Sequence, residues 1–173
     1  MYGLIAAESA IFVIFIVAYL FYVGKNVAGP TAEVLHVPVL SSIALLSSSW
    51  TIHGAVAALR RGDVRSFAHR WLATIVLGAL FLGATAREWR HLIADEGLTI
   101  RTNLFGTTYY SLVGLHAFHV SVGLVVLTAV WLFSAFGRVA PADGERVAIV
   151  SMYWHFVDVV WVVVFSVVYV IGR

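Results

Sequence analysis

No cysteine occurs anywhere in this sequence, which excludes disulfides, iron–sulfur clusters, thiolate zinc and CxxCH haem attachment in one step. Any metal would have to be held by His, Asp or Glu. Charge is scarce as well: 12% of residues are charged and 61% are hydrophobic, against roughly 25% charged in a soluble domain. The formal net charge is +2, and the arginines are scattered among loops, so nothing supports a nucleic-acid surface. The three prolines, Pro30, Pro38 and Pro141, fall at segment boundaries. There is no basic n-region and Glu8 interrupts the first apolar run, so the N-terminus does not read as a cleaved signal peptide.

What the sequence does have is a series of apolar runs of about 20 residues, the length needed to cross roughly 30 Å of hydrocarbon as helix. The expected fold is all-α, a single transmembrane domain built as a bundle of five spanning helices at about 4–23, 38–59, 71–88, 107–133 and 147–171. The first connection carries Lys25, Asn26, Gly29 and Pro30, and Pro38 suits a first helical turn. Ser41, Ala44, Ser48, Thr51, Ala55 and Ala58 form a small-residue stripe on the second span, and Ala79 and Gly83 make a small pair on the third. Residues 60–70, with four arginines, read as a loop. That dense basic loop is assigned to the cytoplasm, which puts the N-terminus inside and the C-terminus outside. Tyr153, Trp154 and Tyr169 then fall where interfacial aromatic belts belong.

Ionisable groups at membrane depth cost about 2.5–3.5 kcal/mol each on insertion scales, so those present face the protein interior and find partners. Counting from the cytoplasmic face puts Glu8 roughly 9 Å deep, His119 and His155 roughly 12 Å, and His116 and Asp158 roughly 16 Å. His116 and His119 are three apart, as are His155 and Asp158, so each pair occupies one helix face. Two readings stay open. One is an intramembrane metal or haem site; the other is a polar network whose imidazoles and carboxyls bind helix to helix. A di-iron centre wants Glu-x-x-His units on facing helices, and none of His116, His119 and His155 has a glutamate three residues before it. Glu8 reads either as a proton-relay acid or as a neutral carboxylic acid donating a hydrogen bond. Glu88, beside Arg87, reads as a charge pair or interfacial anchor, and His53 as a packed or headgroup-facing residue. His36, His69 and His91 carry no signal.

The octapeptide Trp154, His155, Phe156, Val157, Asp158, Val159, Val160, Trp161 resembles the most characteristic signature of subunit III of the haem-copper terminal oxidases. Four further segments agree in order. Gly114, His116, His119, Val120 and Gly123 look like the family's G-x-H-x-x-H-V helix, and Glu88 with Trp89 resembles its Q-x-x-E-W/Y helix end. Leu45 to His53 with Arg61, Gly62 and Asp63 resembles its serine-rich helix and R/E-G-D loop, and Leu4 to Phe12 its glutamate-bearing helix. The commoner family form has seven helices, so the chain is expected to begin at the equivalent of the third. Arg87, and the lack of the glutamine, depart from the family pattern.

The resemblance implies an accessory, non-catalytic subunit of a cytochrome c oxidase in aerobic electron transport, set in a bacterial-type plasma membrane. It implies oxidase subunits I and II, phospholipids and other respiratory complexes as partners, with haems and copper in the partner subunits and no cofactor in this chain. Glu8 would be the carboxyl that governs subunit stability or proton uptake. Glu88, His116, His119, His155 and Asp158 would hold the bundle and its lipid. The alternative within the family is a subunit III of a quinol oxidase or a nitric oxide reductase-linked homologue. From another class, the alternative is a stand-alone membrane metal or haem enzyme built on His116, His119, His155 and Asp158.

Overall fold

A computed structural model describes residues 2–23, 25 and 29–172; Asn26 of the first connection and Arg173 lie outside the described residues. The elements are α1 (Tyr2–Tyr22), α2 (Val39–Arg60), α3 (Val64–Ala94), α4 (Leu104–Ala135) and α5 (Gly144–Phe165). Short 3-10 turns occupy Ala32–Val34 and Pro141–Asp143, and α5 widens into a π turn over Ser166–Ile171. Each of the five long helices has the length and apolarity to cross a membrane, and no strand occurs among the described residues. The chain is an all-helical, multi-pass membrane protein.

Residues 64–70, expected as loop, are the first two turns of α3. Helical backbone satisfies its own hydrogen bonds in any solvent, so polarity marks the edge of the hydrocarbon and not the end of the helix. The reversal between α2 and α3 takes three residues, Arg61, Gly62 and Asp63. Gly62, at φ 84°, closes α2: its N–H donates to the Leu59 carbonyl at 2.9 Å and the Asp63 N–H to the Ala58 carbonyl at 3.0 Å, a Schellman closure that needs the left-handed conformation glycine adopts freely. Asp63 then caps α3, its Oδ1 accepting from the Ser66 N–H at 2.9 Å. The Ser66 hydroxyl first, and its backbone N–H second, hold this exposed carboxyl below the usual aspartate range.

The chain divides into two compact units. One comprises Met1–Pro38, Ala84–Phe118 and Val159–Arg173. Here Asn103 caps α4, its Oδ1 accepting from the Gly106 N–H at 2.7 Å while its Nδ2 donates to the Pro30 carbonyl at 2.8 Å. An aromatic cluster follows: Phe105 stacks on Tyr109 (6.1 Å between ring centres), and the Tyr109 and Tyr169 hydroxyls meet at 3.4 Å. Tyr169 is buried, so it packs against protein and does not belong to an interfacial belt.

The other unit comprises Val39–Gly83 and His119–Asp158. At its centre is Trp154, fully buried and therefore a core residue in place of the expected interfacial one. A Cβ added at Gly78 of α3 would stand 2.8 Å from the indole, and one added at Gly123 of α4 also 2.8 Å. Both lie under the 3 Å that side-chain carbons respect, so the ring fills a notch that only glycine leaves. Its Nε1 donates to Ser48 Oγ of α2 at 2.7 Å. Trp71 of α3, also fully buried, donates to the Leu127 carbonyl of α4 at 2.9 Å. The inward face of α2 includes Ser48, Ala55 and Ala58 from the small-residue stripe. On α3 the residue at the tight contact is Gly78; Gly83 of the expected pair faces open space.

Gly123→Ala is expected to cost about 1–3 kcal/mol through overpacking against Trp154, read as a lowered unfolding midpoint in detergent. Gly83→Ala should leave that midpoint unchanged or raise it, because the added methyl meets nothing and alanine favours helix. The Asp63 cap has a defined pH signature. Its folded-state carboxyl is the stronger acid, so its stabilisation is complete above the ordinary carboxylate range and is lost as pH falls through the lowered folded value. The stability difference between wild type and Asp63→Ala should therefore shrink on acidification, which thermal melts across pH would measure.

Candidate functional site

The six expected site residues fall three to each unit. In the first, Glu8 is half-buried on α1. Glu88, on the last third of α3, accepts from the His36 backbone N–H at 3.3 Å, and the His36 Nδ1 stands 3.6 Å from the same oxygen. The His36 ring lies 5.5 Å from that of His91, whose Nδ1 meets Asp95 Oδ2 at 2.6 Å. Glu88 thus heads a string of imidazoles and carboxyls through two histidines to which the sequence pattern assigns nothing. His91 and Asp95 are four positions apart on α3, one helical turn, which is what lets them pair. His116 is fully buried, stacked on Trp161 at 4.9 Å between ring centres, with Phe12 edge-on at 6.5 Å. Its surroundings are aromatic.

In the second unit His119 is buried, and its backbone carbonyl accepts from the Tyr153 hydroxyl at 3.2 Å. His155 and Asp158 share one face of α5, as their spacing predicts. Both meet the same residue of α2: Ser49 Oγ lies 3.0 Å from His155 Nδ1 and donates a short hydrogen bond to Asp158 Oδ2. Asp158 is 3% exposed, and its Oδ1 has no hydrogen-bond partner among the described residues. Ser49 is the member of this cluster that the sequence reading did not single out as a site residue. Its signal was the run of three serines in mid-helix, which reads equally well as small-residue packing.

His155 also faces outward, into a groove of roughly 530 Å³ between α2 and α5 lined by His53, Val56, Ala57, Arg60, Ala148, Ser151, Met152 and His155. A second pocket, sharing His53 and His155, brings in Ser49, Trp50 and Gly54. Among the described residues no three His, Cys, Asp or Glu side chains converge in a group that could hold a metal ion. His155, Ser49 and Asp158 can exchange hydrogen bonds and protons with one another.

Fold and site together define a polytopic helical membrane protein whose interior polar groups tie helix to helix. Its sequence matches the family described as Cytochrome c oxidase subunit III over residues 9–173. It is 34% identical over 171 residues to cytochrome c oxidase subunit 3 of Thermostichus vulcanus, covering 96% of this chain and 83% of that protein. The corresponding protein of Synechocystis sp. is 38% identical over 179 residues, covering 99% and 75%. That of Corynebacterium diphtheriae is 40% identical over 143 residues, covering 81% and 69%. The chain belongs to the cytochrome c oxidase subunit III family.

Ser48→Ala is expected to strand the buried Trp154 N–H at a cost of about 1–3 kcal/mol. Denaturation in detergent would measure it, and Ser48→Thr, which restores an acceptor, should recover most of the loss.

Proposed function

We propose that this chain is the accessory, non-catalytic subunit of a haem-copper oxidase in a bacterial-type plasma membrane. It packs against the catalytic subunits I and II, which carry the haems and copper, retains phospholipid beside them and supports proton uptake. The observation that carries this reading is the match to subunit III relatives along nearly the whole chain. The surface of α1 supports a partner or lipid on that side: Ile14, Val17 and Phe21 are each more than half exposed, and contiguous apolar surface on a membrane helix needs lipid tails or another helix against it. Glu8 stands on this same helix and is the proton-supporting carboxyl of the proposal. Glu88, His116, His119, His155 and Asp158 serve as the polar contacts that hold the helices and their lipid. The N-terminus and the α2–α3 reversal, with Arg60, Arg61, Arg65 and Arg70 on and beside it, face the cytoplasm.

In the assembled oxidase, Glu8→Ala should leave the initial turnover rate near wild type and shorten the active lifetime several-fold over repeated turnovers. Unchanged inactivation kinetics with unchanged assembly would defeat the proton-support role. Orientation has its own test, made simple by the lack of native cysteine. Arg61→Cys should react with a membrane-impermeant maleimide only from the cytoplasmic side, and Glu96→Cys only from the outside.

A further inference from the structure

Asp158 is the most secluded carboxyl in its unit that touches a route outward. It is 3% exposed, Oδ2 accepts from Ser49, and Oδ1 has no partner among the described residues. Ser49 Oγ is in turn within 3.0 Å of His155 Nδ1. His155 is half-buried and lines the α2–α5 groove together with His53 and Arg60, the other titratable or charged side chains there. Three groups able to give and accept protons therefore run in unbroken hydrogen-bond order from an open groove to a buried acid. We propose that His155, Ser49 and Asp158 form a proton relay between the α2–α5 groove and the interior of this unit.

The hydrogen-bond directions fix how the relay works. Ser49 donates to Asp158, so its oxygen accepts from His155 Nδ1–H, and His155 Nε2 is left as an acceptor. A proton arriving at Nε2 from the groove releases the Nδ1 proton to Ser49, whose own hydroxyl proton passes to Asp158 Oδ2. One proton enters, the carboxylate becomes a carboxylic acid, the serine is regenerated, and the imidazole stays neutral in its other tautomer. The reverse sequence returns the proton. Arg60 sets the electrostatics of the entrance: its fixed guanidinium charge beside the groove opposes a lasting positive charge on His155 and so favours passing the proton on to Asp158. A serine kept only for close packing would not need to bridge an imidazole and a carboxyl at once.

The test is infrared spectroscopy of the assembled oxidase transferred from H2O to D2O. The Asp158 carboxyl band is identified by its loss in Asp158→Asn, or by its displacement in Asp158→Glu if the asparagine variant does not assemble. The relay requires that this band shift in D2O, and that in Ser49→Ala it persist and exchange at least tenfold more slowly. Equal exchange rates in wild type and Ser49→Ala, or a band that never shifts, would overturn it. Because the signal is read on Asp158 itself, its outcome is separate from that of the Glu8 turnover experiment.

Discussion

The indole of Trp154 seated between two glycines is the contact on which its unit depends. Lipid tails are as apolar as leucine, so helices in a bilayer gain little by burying apolar surface against each other; close packing and hydrogen bonds must hold them. Trp154 supplies both at one point. Gly78 and Gly123 admit the ring at a distance that no Cβ would tolerate, and the N–H reaches Ser48. Four helices, α2 to α5, thereby share one side chain. The nearby Trp71 repeats half of the device, joining α3 to α4 through a backbone carbonyl. A carbonyl acceptor in a helix already serves its own ladder, so this bond uses a second lone pair and leaves the helix intact.

Hydrophobic run length was enough to count the helices, because the bilayer sets that length independently of any partner. It was not enough to end them. α3 runs from Val64 to Ala94, past both edges of its apolar stretch, since Asp63 caps one end and nothing in the polar flanks forbids helix. Spacing correctly put His155 and Asp158 on one face, for that follows from 3.6 residues per turn alone. Which helix that face meets is a tertiary fact. The small-residue stripe was sound at Ser48, Ala55 and Ala58, which are buried, and it left out Ser49, whose hydroxyl chemistry becomes visible only once His155 and Asp158 are beside it. Trp154 was misjudged for a similar reason: tryptophan near a span end is usually interfacial, and only the glycines across from it make room for it inside.

The ionisable groups divide by surroundings as much as by type. His116 lies among rings, stacked on Trp161 and met by Phe12, where an imidazole behaves as a flat packing element. His36, Glu88, His91 and Asp95 form a partly exposed string, whose mutual attraction is weakened by solvent. His155 and Asp158 are different because they bridge the two conditions, one group facing a groove and the other enclosed. Depth along the helix axis, the quantity that counting residues supplies, separates none of these. What separates them is the identity of the side chain opposite.

The most characteristic run of the chain, Trp154 to Trp161, combines these roles through helical geometry. Consecutive residues on a helix point about 100° apart. Trp154 therefore aims into the core while His155 turns toward the groove, and Asp158, three residues on, returns close to the direction of His155. On α2, Ser48 and Ser49 diverge by the same angle, one accepting from Trp154 and the other meeting His155 and Asp158. Two adjacent residues of one helix thus answer two adjacent residues of the other. A slip of one position would leave the indole N–H without its acceptor and separate Ser49 from both of its partners. The packing contact and the proton-bearing contact consequently share a single register, so that any change which loosens the tryptophan in its notch also breaks the line from His155 to Asp158.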